Sequence, residues 1–276
     1  MRVIYEPKGR AKEYADLAFN VYMGCSHGCK YCYAPACLRK KPEDFRENIT
    51  ARWDTLEKFV ADCDELACKG DERRILFSFL SDPYQPEEAK IELTRLCLMR
   101  AVCSFGRNID ILTKGKYDLV SRDFDIMEKN PGQVRLGVSL CFIKDESRQE
   151  WEPYASPVED RIRLIKEAHK RGITTWVSVE PVIYPGEAIE VMKTLMPYVD
   201  VWKVGKLNHN KALEKKVNWY KFLKETLSVL HDREYHIKKD LLATAILESD
   251  EEITPRPMWR TYKAKVQWKN DPPAEI

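Results

Sequence analysis

No stretch of the 276 residues holds about 18 consecutive apolar positions, so no helix is expected to cross a membrane. The opening residues, MRVIYEPKGRAKEYADLAF, lack the apolar core of an export signal. Low-complexity and collagen-like segments are absent too, and no internal repeat is visible beyond an alternation of strand and helix patterns. Net charge is small: 46 Lys and Arg against 44 Asp and Glu leave +2, which argues neither for nor against a nucleic-acid partner. Any basic footprint has to be local. The nine cysteines form an odd count without an export signal. Reduced thiols in a cytoplasmic protein are the expectation, with metal binding as the reason for any cluster of them.

What is present is a hydrophobic content of 44%, enough for a substantial core, arranged in short apolar runs that alternate with helical patterns. Strands are expected over 17–23, 74–80, 109–114, 134–142, 173–179 and 200–205, and helices over 54–68, 87–105, 118–129, 187–196 and 217–230. A further helix is expected to open at Ser156, with Ser156 as N-cap, Pro157 in the first turn and Glu159 as capping-box partner. Six strand-then-helix units imply a parallel α/β sheet with right-handed crossovers. Eight would close a full barrel, so six predict a partial (β/α)6 TIM-like barrel, with a doubly wound sheet as the other option. Residues 1–231 would form this core. Residues 232–276 would be a short C-terminal extension with an acidic patch at Glu248–Glu252. Beyond it, Arg256, Arg260, Lys263, Lys265 and Lys269 are interleaved with aromatics, reading as a strand that closes the barrel edge or as a phosphate-attracting face.

The most informative stretch is NVYMGCSHGCKYCYAP, residues 20–35, where Cys25, Cys29 and Cys32 follow a C-x3-C-x2-C spacing. Random scatter of nine cysteines would give roughly 0.007 such matches, so the cluster has a purpose. A closed zinc site wants four ligands, which Cys37 or His27 could complete, yet no paired C-x2-C knuckle exists. Iron–sulfur cubanes are also held by thiolates, and three thiolates leave one iron open for a non-protein ligand.

The string CSHGCKYC, on the loop after the first strand of a βα series, resembles the radical S-adenosylmethionine (SAM) superfamily. YMGCSHGCKYCYAP and FSFLSDPYQPEE resemble its spore photoproduct lyase-like branch, also called DNA repair photolyase-like proteins, over roughly residues 14–231. The resemblance implies that Cys25, Cys29 and Cys32 ligate a [4Fe-4S] cluster whose fourth iron is chelated by SAM. Reduction would split the sulfonium and release a 5′-deoxyadenosyl radical. It further implies a low-potential electron donor such as flavodoxin or ferredoxin, and a nucleic-acid substrate as the branch's suggestion. The aromatic before the third cysteine, Tyr31, would lie by the adenine. The family's Gly-Gly-Glu place at the end of the second strand is occupied here by Ser81-Asp82-Pro83, which makes Ser81 and Asp82 candidates for the methionine amino group.

Barrel enzymes place chemistry at the C-terminal ends of their strands. In the fourth expected strand Val134, Leu136, Val138, Leu140 and Phe142 share the outward face, while Arg135, Gly137, Ser139 and Cys141 face inward. Ser139 would approach the ribose, and Cys141 is the one thiol expected to face the cavity, hence a candidate hydrogen-atom donor. The fifth strand turns Trp176, Ser178 and Glu180 inward, with Glu180 a candidate for the ribose hydroxyls or the substrate. Lys114, Lys203 and Lys206 are expected as rim lysines. A radical enzyme acting on a tRNA base, peptide or small metabolite is the rival reading, and a non-catalytic iron–sulfur or zinc protein the third.

Overall fold

The computed structural model describes residues 2–51, 54–208 and 210–248. The expected strand in the basic tail lies outside them. Eight strands stand in chain order in a single sheet: β1 (Ile4–Tyr5), β2 (Leu17–Phe19), β3 (Ile75–Phe77), β4 (Ile109–Thr113), β5 (Val134–Ser139), β6 (Thr174–Val182), β7 (Val201–Lys206) and β8 (Glu234–Ile237). β1 is antiparallel to β2, and β2 through β8 are mutually parallel. β1 and β8 do not pair with each other, so the sheet is an unclosed α/β barrel. The six expected strands are β2 to β7, and a seventh βα unit, β8 with the helix Lys239–Leu247, follows residue 231, so the βα series runs past the expected core boundary.

The alternation within each strand explains the layers. Val134, Leu136, Val138 and Leu140 pack outward with Leu164, Ile165 and Ala168 of the helix Val158–Lys170 in the main core. Phe19, Phe59 and Phe77 meet there with ring centroids 4.4 to 5.6 Å apart. Such pairs add about 0.5–1.5 kcal/mol each beyond their buried area. The inner faces are filled differently. Tyr14, Ala15, Leu76 and Trp176 form a separate interior cluster. Trp176 fits because residue 137 is glycine: a Cβ there would lie 2.2 Å from the indole.

The expected 118–129 helix is two, Tyr117–Ser121 and Phe124–Lys129, and β2, β3 and β5 are shorter than expected. Three further differences bear on the site. The 87–105 helix breaks at Glu92, whose φ is +54°, because Glu88 turns inward and its carboxylate accepts from the N–H groups of Thr94 and Arg95. Ser156 does not cap its helix. The first helical N–H, that of Val158, is taken by Asp145 at 3.1 Å, and Ser156 Oγ faces Arg161 Nε at 3.4 Å instead. Asp145 itself begins an unanticipated helix, Asp145–Trp151, that lies over the cysteine loop.

The gap between the two ends of the sheet is bridged by side chains. The short 3-10 helix Gly9–Glu13 reaches the C-terminal unit through Arg10 Nε to Asp240 (2.6 Å), Glu13 to His236 Nε2 (3.2 Å) and Glu13 to the Lys239 N–H (3.0 Å). Tyr14, directly after this strap, then enters the barrel interior.

Candidate functional site

The cysteine loop leaves the C-terminal end of β2 and is fixed by backbone bonds to three other segments. Met23 and Thr50 exchange two hydrogen bonds of 2.9 Å, and the Cys25 N–H donates to Phe45 O at 3.1 Å. The Lys30 N–H donates to Trp151 O at 2.9 Å, and the Tyr154 N–H to His27 O at 3.2 Å. From the β3 side, buried Gln85 accepts the Ser26 N–H at 3.1 Å. Gly24 (φ +86°) and Gly28 (φ +60°) are required here on two counts. Their φ values suit glycine, and a Cβ at either would lie 2.8 Å from Asn48 O or from the Tyr154 ring.

Burial pushes the Cys25, Cys29 and Cys32 thiols up, Cys29 to about 12. As thiolates they therefore need nearby positive charge. Lys114, at the end of β4, supplies some of it: its ammonium lies 5.8 Å from the Tyr31 ring and lowers the Cys29 and Cys32 thiols against the effect of burial. Lys114 stays a cation: despite burial, Glu152 raises it above its ordinary value.

Tyr31 is anchored by a group that sequence reading did not reach. Its hydroxyl donates to Glu152, which pairs with Arg161 at 2.6 Å, both side chains fully buried. Arg161 also donates to Ser139 O at 3.0 Å and Ser156 O at 2.8 Å, tying the loop to the end of β5. Ser139 is buried at that strand end. Cys141 is fully buried beyond the end of β5, in a rim cluster with Phe142, Ile183 and Leu207 against which Tyr31 of the cysteine loop packs. Phe142 departs from its expected outward face: β5 ends at Ser139, and Phe142 packs with Cys141, Ile183 and Leu207 at the rim.

Asp82 and Ser81 lie where expected, after β3. The Asp82 carboxylate accepts from Thr113 Oγ1 (2.6 Å), the Tyr84 N–H (2.9 Å) and the Lys114 N–H (2.7 Å), and lies 3.5 Å from His27 Nδ1. It thus joins three strand-end loops. Ser81 meets the Ser78 hydroxyl through its carbonyl at 2.7 Å and its Oγ at 3.2 Å. Glu180 points inward near the end of β6, where the register against β7 slips between Val179 and Val182. It accepts from Tyr14 and lies 3.1 Å from Lys238 Nζ. Lys203 and Lys206 are buried and not solvated. Lys203 faces the interior, while Lys206 pairs with Glu214 at 2.7 Å, on the side of Trp219. Tyr14, Gln85, Glu152, Arg161 and Lys238 are the site residues that sequence reasoning missed. Their only sequence signal is a charged or polar residue at a position whose pattern calls for burial, as at Arg161.

These features define a class: an open parallel barrel whose thiol-bearing loop sits on the C-terminal rim, above a charged interior. The Radical SAM superfamily model matches residues 19–196, and the chain belongs to that superfamily. It is similar to an uncharacterized protein of Methanocaldococcus jannaschii, 29% identical over 175 residues that make up 61% of each chain. An uncharacterized protein of Acidianus two-tailed virus is 26% identical over 195 residues, 68% of this chain and 63% of that one. The chain thus spans less than two thirds of the length of these relatives. Among solved structures, SuiB of Streptococcus suis bound to S-adenosylmethionine has a TM-score of 0.61 at 14% identity, covering 85% of this chain and 53% of that one. A spore photoproduct lyase mutant with dinucleoside spore photoproduct has a TM-score of 0.59 at 17% identity, covering 76% and 61%. These likenesses are of fold.

The superfamily implies an enzyme with an iron–sulfur cluster and SAM, and the residues present fit such a group. Three thiols on one glycine-shaped loop, costly to ionise alone, with Lys114 acting on two of them, suit a cationic metal assembly. Among the described residues no three His, Cys, Asp or Glu side chains gather as a single metal ion requires.

Proposed function

We propose that this protein is a radical SAM enzyme of the spore photoproduct lyase-like kind, in which Cys25, Cys29 and Cys32 hold a [4Fe-4S] cluster. The observation that carries the reading is the set of three thiols on one loop at the barrel rim, with Lys114 acting on Cys29 and Cys32. Cluster and SAM, when bound, would supply a 5′-deoxyadenosyl radical by one-electron cleavage of the sulfonium. The chain's own residues do the rest.

At Cys29, Lys114 and Arg161 offset the thiolate charge while Glu152 limits that offset, and Lys114 does the same for Cys32. The Glu152–Arg161 pair fixes the Tyr31 ring, which would lie against the adenine. Ser81 and Asp82 would border the methionine amino group, and Ser139 and Glu180 the ribose. Cys141, buried and with its thiol pushed well up, would remain protonated and able to return a hydrogen atom to a product radical. The strap and Tyr14 would exclude water from the interior. The substrate would be a nucleic-acid lesion or a nucleic-acid-derived molecule, and the electron would come from a flavodoxin- or ferredoxin-like donor.

The test is anaerobic. The reconstituted protein is given SAM and a strong reductant, and 5′-deoxyadenosine is quantified with and without ultraviolet-irradiated DNA. Cleavage stimulated by damaged DNA supports the whole reading. Cleavage indifferent to DNA discards the repair half, and full cleavage by Cys29→Ala discards the cluster assignment.

A further inference from the structure

Two buried lysine ammonium groups, those of Lys203 and Lys238, face the barrel interior. Glu180 accepts from the Tyr14 hydroxyl and from Lys238 Nζ at 3.1 Å, and the Tyr14 hydroxyl also meets Ser178 Oγ at 2.7 Å. Lys203 Nζ donates to Tyr14 O at 2.7 Å and stands 4.5 Å from the Trp176 ring centroid. The two ammonium groups lie 5.0 and 4.8 Å from the Tyr14 ring centroid. An ammonium has three donors, yet each of these has one hydrogen-bond partner among the described residues. Both lysines are only 6% exposed. Glu180 serves Lys238, while the carboxylate acting on Lys203 is Asp110, whose oxygens are already taken by Arg74 (2.6 Å) and Arg135 (2.7 and 2.6 Å). Trp176 Nε1, buried in the same interior, has no partner there.

Buried donors in native proteins find acceptors, so the complementary ligand brings oxygen lone pairs and negative charge. Burial lowers Lys203 to about 8, which leaves it largely cationic at neutral pH. The Glu180 carboxyl group packs directly over Gly205, where a Cβ would lie 2.6 Å from its carboxyl carbon, so the glycine lets Glu180 reach its position beside Tyr14 and Lys238. Lys238 follows the last strand of the parallel series, at the end where barrel enzymes hold their substrates.

We propose that Lys203 and Lys238, set against Tyr14 and Glu180 inside the barrel, bind a carboxylate or phosphate group carried by the substrate. Glu180 holds the Lys238 ammonium in place and offers an acceptor to a hydroxyl or N–H beside the anionic group. The inference rests on the radical-enzyme reading in one respect, that the barrel interior is the substrate chamber.

Isothermal calorimetry on the full chain, without added cluster, tests it with sodium phosphate and sodium acetate as probes at fixed ionic strength. Saturable binding at one site per chain is expected. Phosphate alone binding points to a phosphate ester, acetate alone to a carboxylate, and both to the shared chemistry. Lys203→Met and Lys238→Met should each weaken binding about tenfold or more, as the loss of a charge-assisted bond does, while Lys238→Arg retains it. Circular dichroism checks that each variant is folded. Should the methionine variants not fold, Glu180→Gln serves instead: it removes a repelling charge and should tighten binding about threefold or more. No saturable binding of either probe, or binding equal in all folded variants, overturns the proposal. Iron content and SAM cleavage of the reconstituted protein report separately on the radical reading, so a failure there with anion binding intact counts against that reading alone.

Discussion

Arg161 and Glu152 meet at 2.6 Å with neither side chain exposed, and the same carboxylate receives the hydroxyl of Tyr31 from the cysteine loop. Removing one partner of such a pair strands a charge in low dielectric. Arg161→Met should therefore cost about 3–5 kcal/mol in urea unfolding. Tyr31→Phe loses one bond to a carboxylate that Arg161 still neutralises, and should cost only about 1.5–3 kcal/mol. Equal losses would mean that the loop and the pair are not coupled as described.

Two glycines predict opposite kinds of damage. Gly137→Ala drives a methyl group to 2.2 Å from the Trp176 indole, which is enclosed, so a loss of about 1–3 kcal/mol or more is expected. Gly205→Ala meets instead the end of the Glu180 side chain, which can swing away. Its melting temperature should fall less, while the chemistry that depends on Glu180 suffers more. Thermal unfolding and SAM turnover measured on both variants would separate the two.

Lys203 sets an alkaline signature. Its folded value of about 8 lies below the ordinary 10.5 because burial disfavours the charge. Between those pH values the unfolded chain holds the proton and the folded chain does not, so stability should rise with pH across that window. Lys203→Met should flatten this rise and be at least as stable as the parent at pH 7. Urea midpoints between pH 7 and pH 10.5 would show it.

At the acid end Asp145 has the reverse sign. Arg148, together with the Val158 N–H and Gln149, holds it at about 2, below the ordinary 3.8. The stabilisation is complete above the ordinary value and lost as pH falls through 2. Because the side chain is partly open to solvent, the contribution is small. Asp145→Asn should lose this part of the acid dependence and also loosen the start of the helix Val158–Lys170, detectable by amide exchange at Val158.

How far the site was legible follows from the distances in sequence over which its parts are joined. Cys25, Cys29 and Cys32 stand within eight residues, and their spacing is itself the signal. The inward faces of β5 and β6 follow from period-2 alternation, which placed Ser139 and Glu180 without knowledge of any partner, whereas Cys141 lies past the end of β5 in the rim cluster with Phe142. Phe142 failed because the strand stops at Ser139 and alternation stops with it. Tyr14 meets Glu180 across 166 positions and Tyr31 meets Glu152 across 121, separations over which no local pattern operates. Arg161 sends mixed signals: its residue type reads as solvent-facing although its place on the stripe with Ile165 and Ala168 calls for burial, and Glu152, Ser139 and Ser156 make that burial tolerable. The seventh βα unit was overlooked because β8 is short and partly polar, so its apolar run is weak.

The strap that bridges the open sheet also orders events in time. Glu13 finds His236 and the Lys239 N–H, and Arg10 finds Asp240, across more than 220 positions of chain. A ribosome adds about 5–20 residues per second, so roughly ten to forty-five seconds separate the emergence of the two halves of this seam. Throughout that interval the thiol loop, already synthesised, belongs to a barrel whose side is still unsealed. Among the described residues, the barrel side is therefore sealed only when the helix Gly9–Glu13 meets β8 and the helix that follows it.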